Sequence, residues 1–348
     1  MRLRKKLVVF ATLAGVALLA CGASAGGGVS TPAPRMPHFL WGAWIGKQFT
    51  GSEAPWSWNA VMAFEKRNAG GKHLNLVHWG VGTPWAHEFN YWTTPLNLVQ
   101  NGGALSLVDM NTGSAPLAAV ASGAYDDAFQ TWAAEAKTWG HRLLLRFDWE
   151  MNGRWYPWGT TSRNKNTPAD YVAAWRHIHR IFTAAGAGNV LWVWCPNQDL
   201  YGKMSSLARL YPGSRYVDWT CMDGYNSNAP WTSFKKLYTS TYRRIIRLAP
   251  TKPMILGEIA STGHGGSKPR WIRSMFNSLL TGFSHVRGLA WYDRYGTDPP
   301  PGYPIDWPIE TSRASSAAFR NGINKVLAKV CRKVKGRAHA RCLSGAAA

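Results

Sequence analysis

The sequence is poor in cysteine, in acidic residues and in long apolar segments, and each shortage excludes a class of protein. Its 348 residues include 5 Cys and 18 Asp+Glu, against 40 Lys+Arg. After the first 25 residues no apolar run approaches the roughly 20 residues of a membrane-spanning helix, which excludes a polytopic membrane protein. The apolar fraction of 46% excludes a mainly disordered chain. A globular protein with one large domain or two small ones remains.

Short motifs that hold metals, dinucleotides or a serine nucleophile are also missing. The chain has no His-Glu-x-x-His pattern and no zinc-type cysteine spacing. No G-x-G-x-x-G follows the first predicted strand, and no G-x-S-x-G elbow follows any predicted strand. We therefore expect neither a metal nor a cofactor. Tryptophan, by contrast, is abundant at 20 residues, which indicates a surface that stacks on sugar or base rings.

The N-terminus has the pattern of an export signal over residues 1–25. Four basic residues precede the apolar run Leu7–Ala20, and Ala23–Ala25 fits a small-residue cleavage site. Leu18–Cys21 also resembles a lipobox, so lipid anchoring through Cys21 is the alternative to secretion. Residues 26–38 form a Gly/Ser/Pro-rich linker.

Four cysteines remain once Cys21 is set aside. An even number outside the cytoplasm favours two disulfides. Cys331–Cys342 would staple the C-terminal segment, and Cys195–Cys221 would join the ends of consecutive predicted strands. For the second pair, two buried thiols are the alternative.

The chain without its leader carries 36 basic and 18 acidic residues, a net charge of +18. Such a charge attracts anionic walls, polysaccharides or nucleic acids. Eight Lys/Arg lie between Arg320 and Arg341, so residues 331–348 form a basic C-terminal tail. A merely solvated basic helix and tail is the alternative reading.

The middle of the chain alternates short apolar runs with helical patterns. Runs rich in Val, Ile, Leu and Trp that are each followed by a helix indicate parallel strands covered on both faces. Eight such units predict a single (β/α)8 barrel, or TIM barrel, over residues 39–330; a doubly wound sheet is the alternative. The runs are Phe39–Gly46, His73–Trp79, Ala104–Met110, Arg142–Trp149, Asn189–Cys195, Tyr216–Asp223, Pro253–Glu258 and Val286–Tyr292.

The scarce carboxylates collect at the ends of these predicted strands, where a barrel carries its active site. Side-chain alternation places Arg146 and Glu150 on one face of the fourth strand. It also places Met254, Leu256 and Glu258 on one face of the seventh. If these faces are interior, the two glutamates face each other across the barrel mouth. The acids concerned are Asp109, Asp148, Glu150, Asp223, Glu258 and Asp293.

Two opposed carboxylates suit a retaining glycosidase, in which one is the nucleophile and the other is the general acid and then base. Apolar neighbours raise the pKa of an acid, and the residues around Glu150 are rich in aromatic rings. Tyr225 and Arg146 are candidate partners that would keep Glu258 ionised.

Four stretches of the chain resemble, in order, the motifs of family-26 glycoside hydrolases, which are best known as β-mannanases. The first is the acid/base segment, which here reads F-D-W-E-M-N-G-R-W-Y-P-W-G, and the resemblance covers about residues 39–295. The stretches are Phe147–Gly159, Asn189–Asn197, Tyr211–Asn226 and Lys252–Glu258.

The resemblance implies a (β/α)8 barrel and a retaining mechanism, with Glu150 as acid/base and Glu258 as nucleophile. It implies that Tyr225 lies near the nucleophile and that Trp155 and Trp291 form sugar-stacking walls. Three further residues are expected at the substrate site, where two of them shape the charge around the carboxylates. These three are Arg146, Asp223 and Asn152.

One departure from the family concerns the residue before the acid/base, which is usually His and here is Trp149. We expect a secreted endo-acting hydrolase of β-1,4-mannan. The alternatives are a β-glucanase or β-xylanase with the same two glutamates, and a non-catalytic binder of wall polysaccharide. A polysaccharide is the expected partner, with no nucleic acid and no obligate protein partner.

Overall fold

The computed structural model describes residues 36–47, 57–161, 165–198, 206–227, 230–297 and 304–345. Eight parallel strands close a barrel in sequential order, each pairing with the next and the last with the first. The prediction of a (β/α)8 barrel is confirmed. The strands are β1 (Leu40–Ile45), β2 (Leu76–Gly82), β3 (Leu105–Met110), β4 (Leu143–Phe147), β5 (Val190–Trp194), β6 (Trp219–Asn226), β7 (Met254–Ser261) and β8 (Val286–Asp293).

Helices connect the strands and surround the barrel. The helical pattern of the sequence predicts a helix over Asp126–Trp139, and the structure has a helix with these bounds. The helix after β4 begins at a capping box. The Thr167 side chain accepts a hydrogen bond from the Asp170 backbone N–H, and the Asp170 side chain accepts one from the Thr167 backbone N–H. The helices are α1 (Trp58–Ala69), α2 (Thr93–Asn101), α3 (Leu117–Ala121), α4 (Asp126–Trp139), α5 (Pro168–Ala185), α6 (Leu207–Leu210), α7 (Phe234–Leu248), α8 (Lys268–Thr281), α9 (Arg313–Cys331) and α10 (Arg337–Ser344).

After β8 the chain forms a short antiparallel pair, β9 (Tyr295–Thr297) and β10 (Pro304–Asp306), before it enters α9. Across the described ranges, no helix has the length and apolarity of a bilayer-spanning segment.

Two apolar layers stabilise the barrel, one inside it and one between strands and helices. In β4, Leu144 belongs to the inner layer, whereas Leu143 and Leu145 belong to the outer one. The alternation predicted for this strand is therefore correct. In β8 the inner positions are the small residues Gly288 and Ala290, because Leu40 of β1 fills the space beside them.

The alternation predicted for β7 is wrong over its first half. Met254 and Leu256 pack in the outer layer, and Ile255 points into the barrel. The pairing register of β7 then shifts between Leu256 and Ile259. Such a bulge inserts one unpaired residue and reverses which side chains face inward. Glu258 reaches the interior because of this bulge rather than by simple alternation.

The C-terminal segment is folded against the barrel and is not a free tail. We call the end of the barrel where the strands begin the floor, and the end where they finish the mouth. At the floor, the backbone N–H of His73 donates to the carbonyl of Ser344 at 3.0 Å, and the Asn75 side chain donates to the carbonyl of Gly345 at 2.9 Å. The structure forms the two disulfides that the sequence predicts, Cys195–Cys221 and Cys331–Cys342. The leader (residues 1–25) and most of the linker lie outside the described residues.

Candidate active site

A buried arginine connects the carboxylates at the mouth. Arg146 of β4 is fully buried, and its Nη2 donates to Glu258 Oε1 at 2.7 Å. Its Nη1 donates to Asp223 Oδ1 at 3.1 Å, and its Nε lies 2.8 Å from Asp109 Oδ1. Burial opposes the charge, but these carboxylates raise the pKa of Arg146 above its ordinary range, so the guanidinium stays charged.

Glu258 is held in one orientation by groups from two other strands, β4 and β6. Besides Arg146, the Tyr225 hydroxyl donates to its second carboxylate oxygen. Its backbone N–H donates to Asp223 Oδ1 at 2.8 Å. Burial and the charge of Glu258 raise the pKa of Tyr225 well above its usual value, so the phenol keeps the proton that it donates. This arrangement fixes the position of the Glu258 carboxylate.

Glu150 lies in a different electrostatic environment. Asn197 Nδ2 donates to Glu150 Oε1 at 2.6 Å, and the Trp155 indole N–H donates to the other oxygen. Burial first, and then the nearby charge of Glu258, raise the pKa of Glu150 to about 8 despite these donors. Glu150 is therefore largely protonated at neutral pH, as a general acid must be.

The backbone that carries Glu150 is strained. Asp148 and Glu150 have φ values of 41° and 53°, in the left-handed region that side chains other than glycine rarely occupy. Hydrogen bonds hold both turns: the Glu150 N–H donates to the Cys195 carbonyl at 2.7 Å, and Asp148 accepts from Thr112 at 2.8 Å. Strain of this kind is concentrated at functional sites, where surrounding contacts impose it.

The two glutamates are close enough to act on one bond. One carboxylate oxygen of Glu150, one of Asp223 and one of Glu258 all lie within 4.8 Å of one another. Carboxyl groups in retaining glycosidases are about 5–5.5 Å apart, and those in inverting enzymes are about 6.5–9.5 Å apart. The separation in this chain matches the first class.

A cavity of about 460 Å³ opens over the two glutamates. Its walls are mainly aromatic rings and amides, which are the groups that bind sugars by stacking and hydrogen bonding. Trp155 lies at the edge of the cavity, and 50% of the residue is exposed. The lining residues are Glu150, Trp155, Tyr156, Asn197, Gln198, Tyr225, Ser227, Glu258, Tyr292 and Trp307.

Of the residues that the sequence assigned to substrate binding, Trp155 and Tyr225 line this cavity, but Arg146, Asp223 and Asn152 do not. Those three are fully buried beneath it. Asn152 exchanges hydrogen bonds with the backbone of Asn197, at 2.8 and 2.9 Å. It therefore orients the amide that contacts Glu150 instead of contacting substrate.

The expectation that Trp291 forms a sugar wall is wrong. Trp291 is fully buried and packs edge-on against Trp271 and Phe319. Because side chains alternate along β8, the residue that faces the cavity is its neighbour Tyr292. The inward positions Gly288 and Ala290 could have revealed this in the sequence, since a closed barrel of this size admits small residues there.

Sequence reasoning also missed several residues that surround the glutamates. Trp307 stacks on Tyr225, with ring centroids 4.5 Å apart, and it comes from the connection between β8 and α9, which carries no motif. His78 of β2 lies 2.8 Å from Asp109 and so supports the Arg146 network from the opposite side. Asn197 belongs to the family-like stretch Asn189–Asn197, but nothing in the sequence indicated its contact with Glu150.

Two groups of side chains at this mouth could geometrically surround a cation: His78 with Asp109 and Glu258, and Glu150 with Asp223 and Glu258. Arg146 already contacts Asp109, Asp223 and Glu258. The positive charge that these carboxylates require therefore comes from the protein itself.

Trp149 stands where the resembling family usually has His. Its ring is half-buried and lies against the Arg146 guanidinium, 5.5 Å from the ring centroid, and edge-on to Tyr156. The indole N–H of Trp158 donates to the Trp149 carbonyl at 2.8 Å. These contacts fix the ring between Arg146, which contacts Glu258, and Tyr156, which lines the cavity, so the Trp149 ring acts on the site through these two neighbours.

A (β/α)8 barrel with two opposed glutamates and an aromatic cavity at its mouth defines a class, that of the barrel-fold glycoside hydrolases. The sequence profile of glycosyl hydrolase family 26 matches residues 53–264. The chain belongs to this family, as the resemblance of its motifs indicated.

Two curated relatives match parts of the chain. The chain is 33% identical over 290 residues to endoglucanase H of Acetivibrio thermocellus, covering 81% of this chain and 30% of that protein. It is 34% identical over 124 residues to mannan endo-1,4-beta-mannosidase A and B of Caldalkalibacillus mannanilyticus, covering 34% of this chain and 22% of the relative. The chain thus spans less than a third of the length of either relative.

Among solved structures, the catalytic domain of an endo-beta-1,4-mannanase from Bacillus sp. JAMB-750 superposes with a TM-score of 0.59 at 16% identity. The match covers 83% of this chain and 85% of that one. At this identity the likeness concerns the fold alone.

Proposed function

We propose that the protein is an endo-acting β-glycanase that retains anomeric configuration, with Glu258 as nucleophile and Glu150 as acid/base. The observation that carries the proposal is the pair of glutamate oxygens within 4.8 Å, one glutamate held by Arg146 and the other with its pKa raised to about 8. Two carboxyl groups in such unlike environments divide the acid and nucleophile roles between them.

In the first step, a Glu258 carboxylate oxygen attacks the anomeric carbon and the bond to the leaving sugar oxygen breaks. Glu150 gives its proton to that oxygen, so the leaving sugar departs as an alcohol. Arg146 and Tyr225 hold the nucleophile on the axis of attack.

In the second step, a water molecule enters the position of the departed sugar. The Glu150 carboxylate takes a proton from the water while the water oxygen bonds to the anomeric carbon, and Glu258 leaves as a carboxylate. The enzyme returns to its starting protonation state, and two inversions give net retention.

β-1,4-Mannan is the first candidate substrate. Support comes from the names of several relatives and structural neighbours, which are mannanases. An open cavity of about 460 Å³ with an exposed Trp155 suits a polymer chain that passes through, which favours endo action.

A β-glucan is the second candidate, with β-xylan as a further member of the same group. Trp149 replaces the His that mannanases of the family carry next to the acid/base. A relative that matches over 81% of the chain is named endoglucanase H. Both observations favour a sugar other than mannose at the cleavage site.

A panel of pure polysaccharides tests the substrate. β-1,4-Mannan, mixed-linkage β-glucan, carboxymethyl cellulose and β-xylan are incubated with the enzyme, and reducing ends are measured against Glu258→Ala as the blank. Release from mannan supports the first candidate. Release from glucan or xylan without release from mannan overturns it.

The retaining mechanism is tested by proton NMR of the first product formed. Retention gives the β-anomer before mutarotation, whereas an α-anomer at early times would refute the proposal. In Glu150→Ala, assayed with an aryl β-glycoside whose leaving group departs without a proton, added azide should restore turnover by giving a β-glycosyl azide, because azide needs no general base.

We further propose that the protein works outside the cytoplasm, as the leader sequence predicts. The two disulfides support this, since disulfides persist in oxidising compartments. Mass spectrometry of the mature N-terminus distinguishes cleavage after Ala25 from lipid attachment at Cys21.

A further inference from the structure

The floor of the barrel, opposite the active site, carries an exposed basic surface. We define the floor surface by six exposed side chains around the beginnings of β7, β8 and β1, and Arg341 of α10 extends it. None of the six forms an ion pair with any described carboxylate. The six are Arg247, Arg287, Arg332, Lys333, Lys335 and Arg337.

This part of the molecule lacks acidic residues almost entirely. Helices α7, α8, α9 and α10 contain no Asp or Glu. The four described acids between residues 234 and 345 all belong to the mouth side, at the ends of strands or in the connection from β8 to α9. They are Glu258, Asp293, Asp306 and Glu310; a fifth acid of this range, Asp298, lies outside the described residues.

Helix dipoles explain only a minority of the floor charges. Arg247 lies in the last turn of α7, where the dipole favours a cation. Arg337 is the first residue of α10, where the dipole disfavours one, and Lys333 and Lys335 lie between helices. Fold stability therefore does not account for the floor surface.

The chemistry of the floor surface also restricts its partner. The exposed large apolar side chains of the described residues lie elsewhere: Met62, Trp85, Tyr91, Trp155 and Tyr295. Among the described residues the floor therefore exposes no Trp, Tyr or Phe ring to stack on single-stranded bases and no large apolar side chain to insert into a bilayer. Charge alone remains, and the arginines among the six can each bind one carboxylate or phosphate through two N–H groups.

We propose that the floor surface binds an acidic polysaccharide, a polymer that bears repeated carboxylate or phosphate groups. Docking through the floor turns the cavity away from the polyanion, so the active site stays open to a neutral polysaccharide within the same matrix. The floor binds whether or not the glutamates cleave the substrate proposed above, so the two proposals can fail separately.

The test uses the full chain and immobilised polygalacturonate, with agarose as the uncharged matrix. A floor variant carries Arg332→Gln, Lys333→Gln, Lys335→Gln and Arg337→Gln. A control variant loses the same charge from exposed residues elsewhere, through Lys165→Gln, Arg180→Gln, Arg209→Gln and Lys235→Gln. Binding is measured over a series of salt concentrations, and hydrolysis of a soluble neutral β-glycan is measured in parallel.

We expect the floor variant to bind polygalacturonate about tenfold more weakly at low salt and with a smaller salt dependence. The control should lose at most about twofold, and both variants should hydrolyse the soluble substrate like the parent. Equal losses in the two variants would show that only net charge matters and would overturn the proposal. Tighter binding of the parent to duplex DNA or to phosphatidylglycerol vesicles than to polygalacturonate would overturn it as well.

Discussion

The mouth and the floor of this barrel use charge in opposite ways. At the mouth, Arg146 and the carboxylates it contacts are buried, and each has partners at hydrogen-bond distance. At the floor, basic side chains are exposed and have no carboxylate beside them. Buried charges interact strongly and resist screening, whereas exposed charges act at longer range and are weakened by salt. This difference is why we propose chemistry at the mouth and attraction of a polyanion at the floor.

The largest effect is expected from Glu258→Ala, which removes the proposed nucleophile. We expect kcat to fall by at least about 10⁴-fold, because no other group is placed to bond to the anomeric carbon. The fold should persist, as judged by circular dichroism. Residual activity near the parent level would show that Glu258 is not the nucleophile. The mouth would then differ from the floor in the arrangement of its charges but not in a catalytic function.

The next effect is expected from Gly257→Ala, which disturbs the charge network without removing a charge. A Cβ at this position would lie 2.7 Å from Arg146 Nη1 and 2.7 Å from Asp223 Oδ1. The displaced guanidinium would move Glu258, and we expect kcat/KM to fall about 100-fold.

Gly188→Ala is the matched control for this substitution, because nothing lies within 4 Å of its added Cβ. If both alanine variants behave like the parent, the close packing around Arg146 is not needed for activity.

A third prediction distinguishes a tryptophan that stabilises the fold, Trp291, from one that contacts substrate, Trp155. Trp291→Ala should lower the free energy of unfolding by about 3–5 kcal/mol, because it leaves a cavity between Trp271 and Phe319. Trp155→Ala should leave the stability nearly unchanged and raise KM, since its ring is half exposed at the cavity. Urea denaturation and steady-state kinetics measure the two effects, and a reversed pattern would contradict the assignment.

The smallest effect concerns pH. The proposed mechanism requires protonated Glu150, so activity should decline as pH rises through the pKa of about 8. The Trp155 N–H stabilises the ionised form and lowers this pKa. Trp155→Phe keeps a ring but removes that donor, so the alkaline limb of kcat/KM should move upward by about 0.5 to 1 pH unit. A limb that moves downward would exclude Glu150 as the general acid.

Much of the fold could be predicted because local periodicity reports burial. The eight strands lie where apolar runs occur, and α4 matches its predicted bounds. The bulge in β7 could not be predicted, because it arises from pairing with β6 and β8 on either side. An alternation rule applied through a bulge assigns every earlier side chain to the wrong face.

The site shows the same division between local and distant information. Motif spacing identified Glu150 and Glu258, since both belong to distinctive segments at strand ends. The Asn197 contact with Glu150, the His78 support of Asp109 and the Trp307 stack on Tyr225 join segments that are far apart in the chain. Such contacts follow from barrel closure, which sequence spacing does not encode.

The sequence by itself determined the barrel class, the family and the two glutamates, because each depends on residue type and short-range order. It also determined that the acids are scarce. Only the tertiary structure decided that Tyr292 rather than Trp291 faces the cavity and that Arg146 lies beneath the substrate site. It alone also collected the basic residues of distant helices into one floor. These outcomes depend on which side chains the closed barrel brings together, and closure is a property of all eight strands at once.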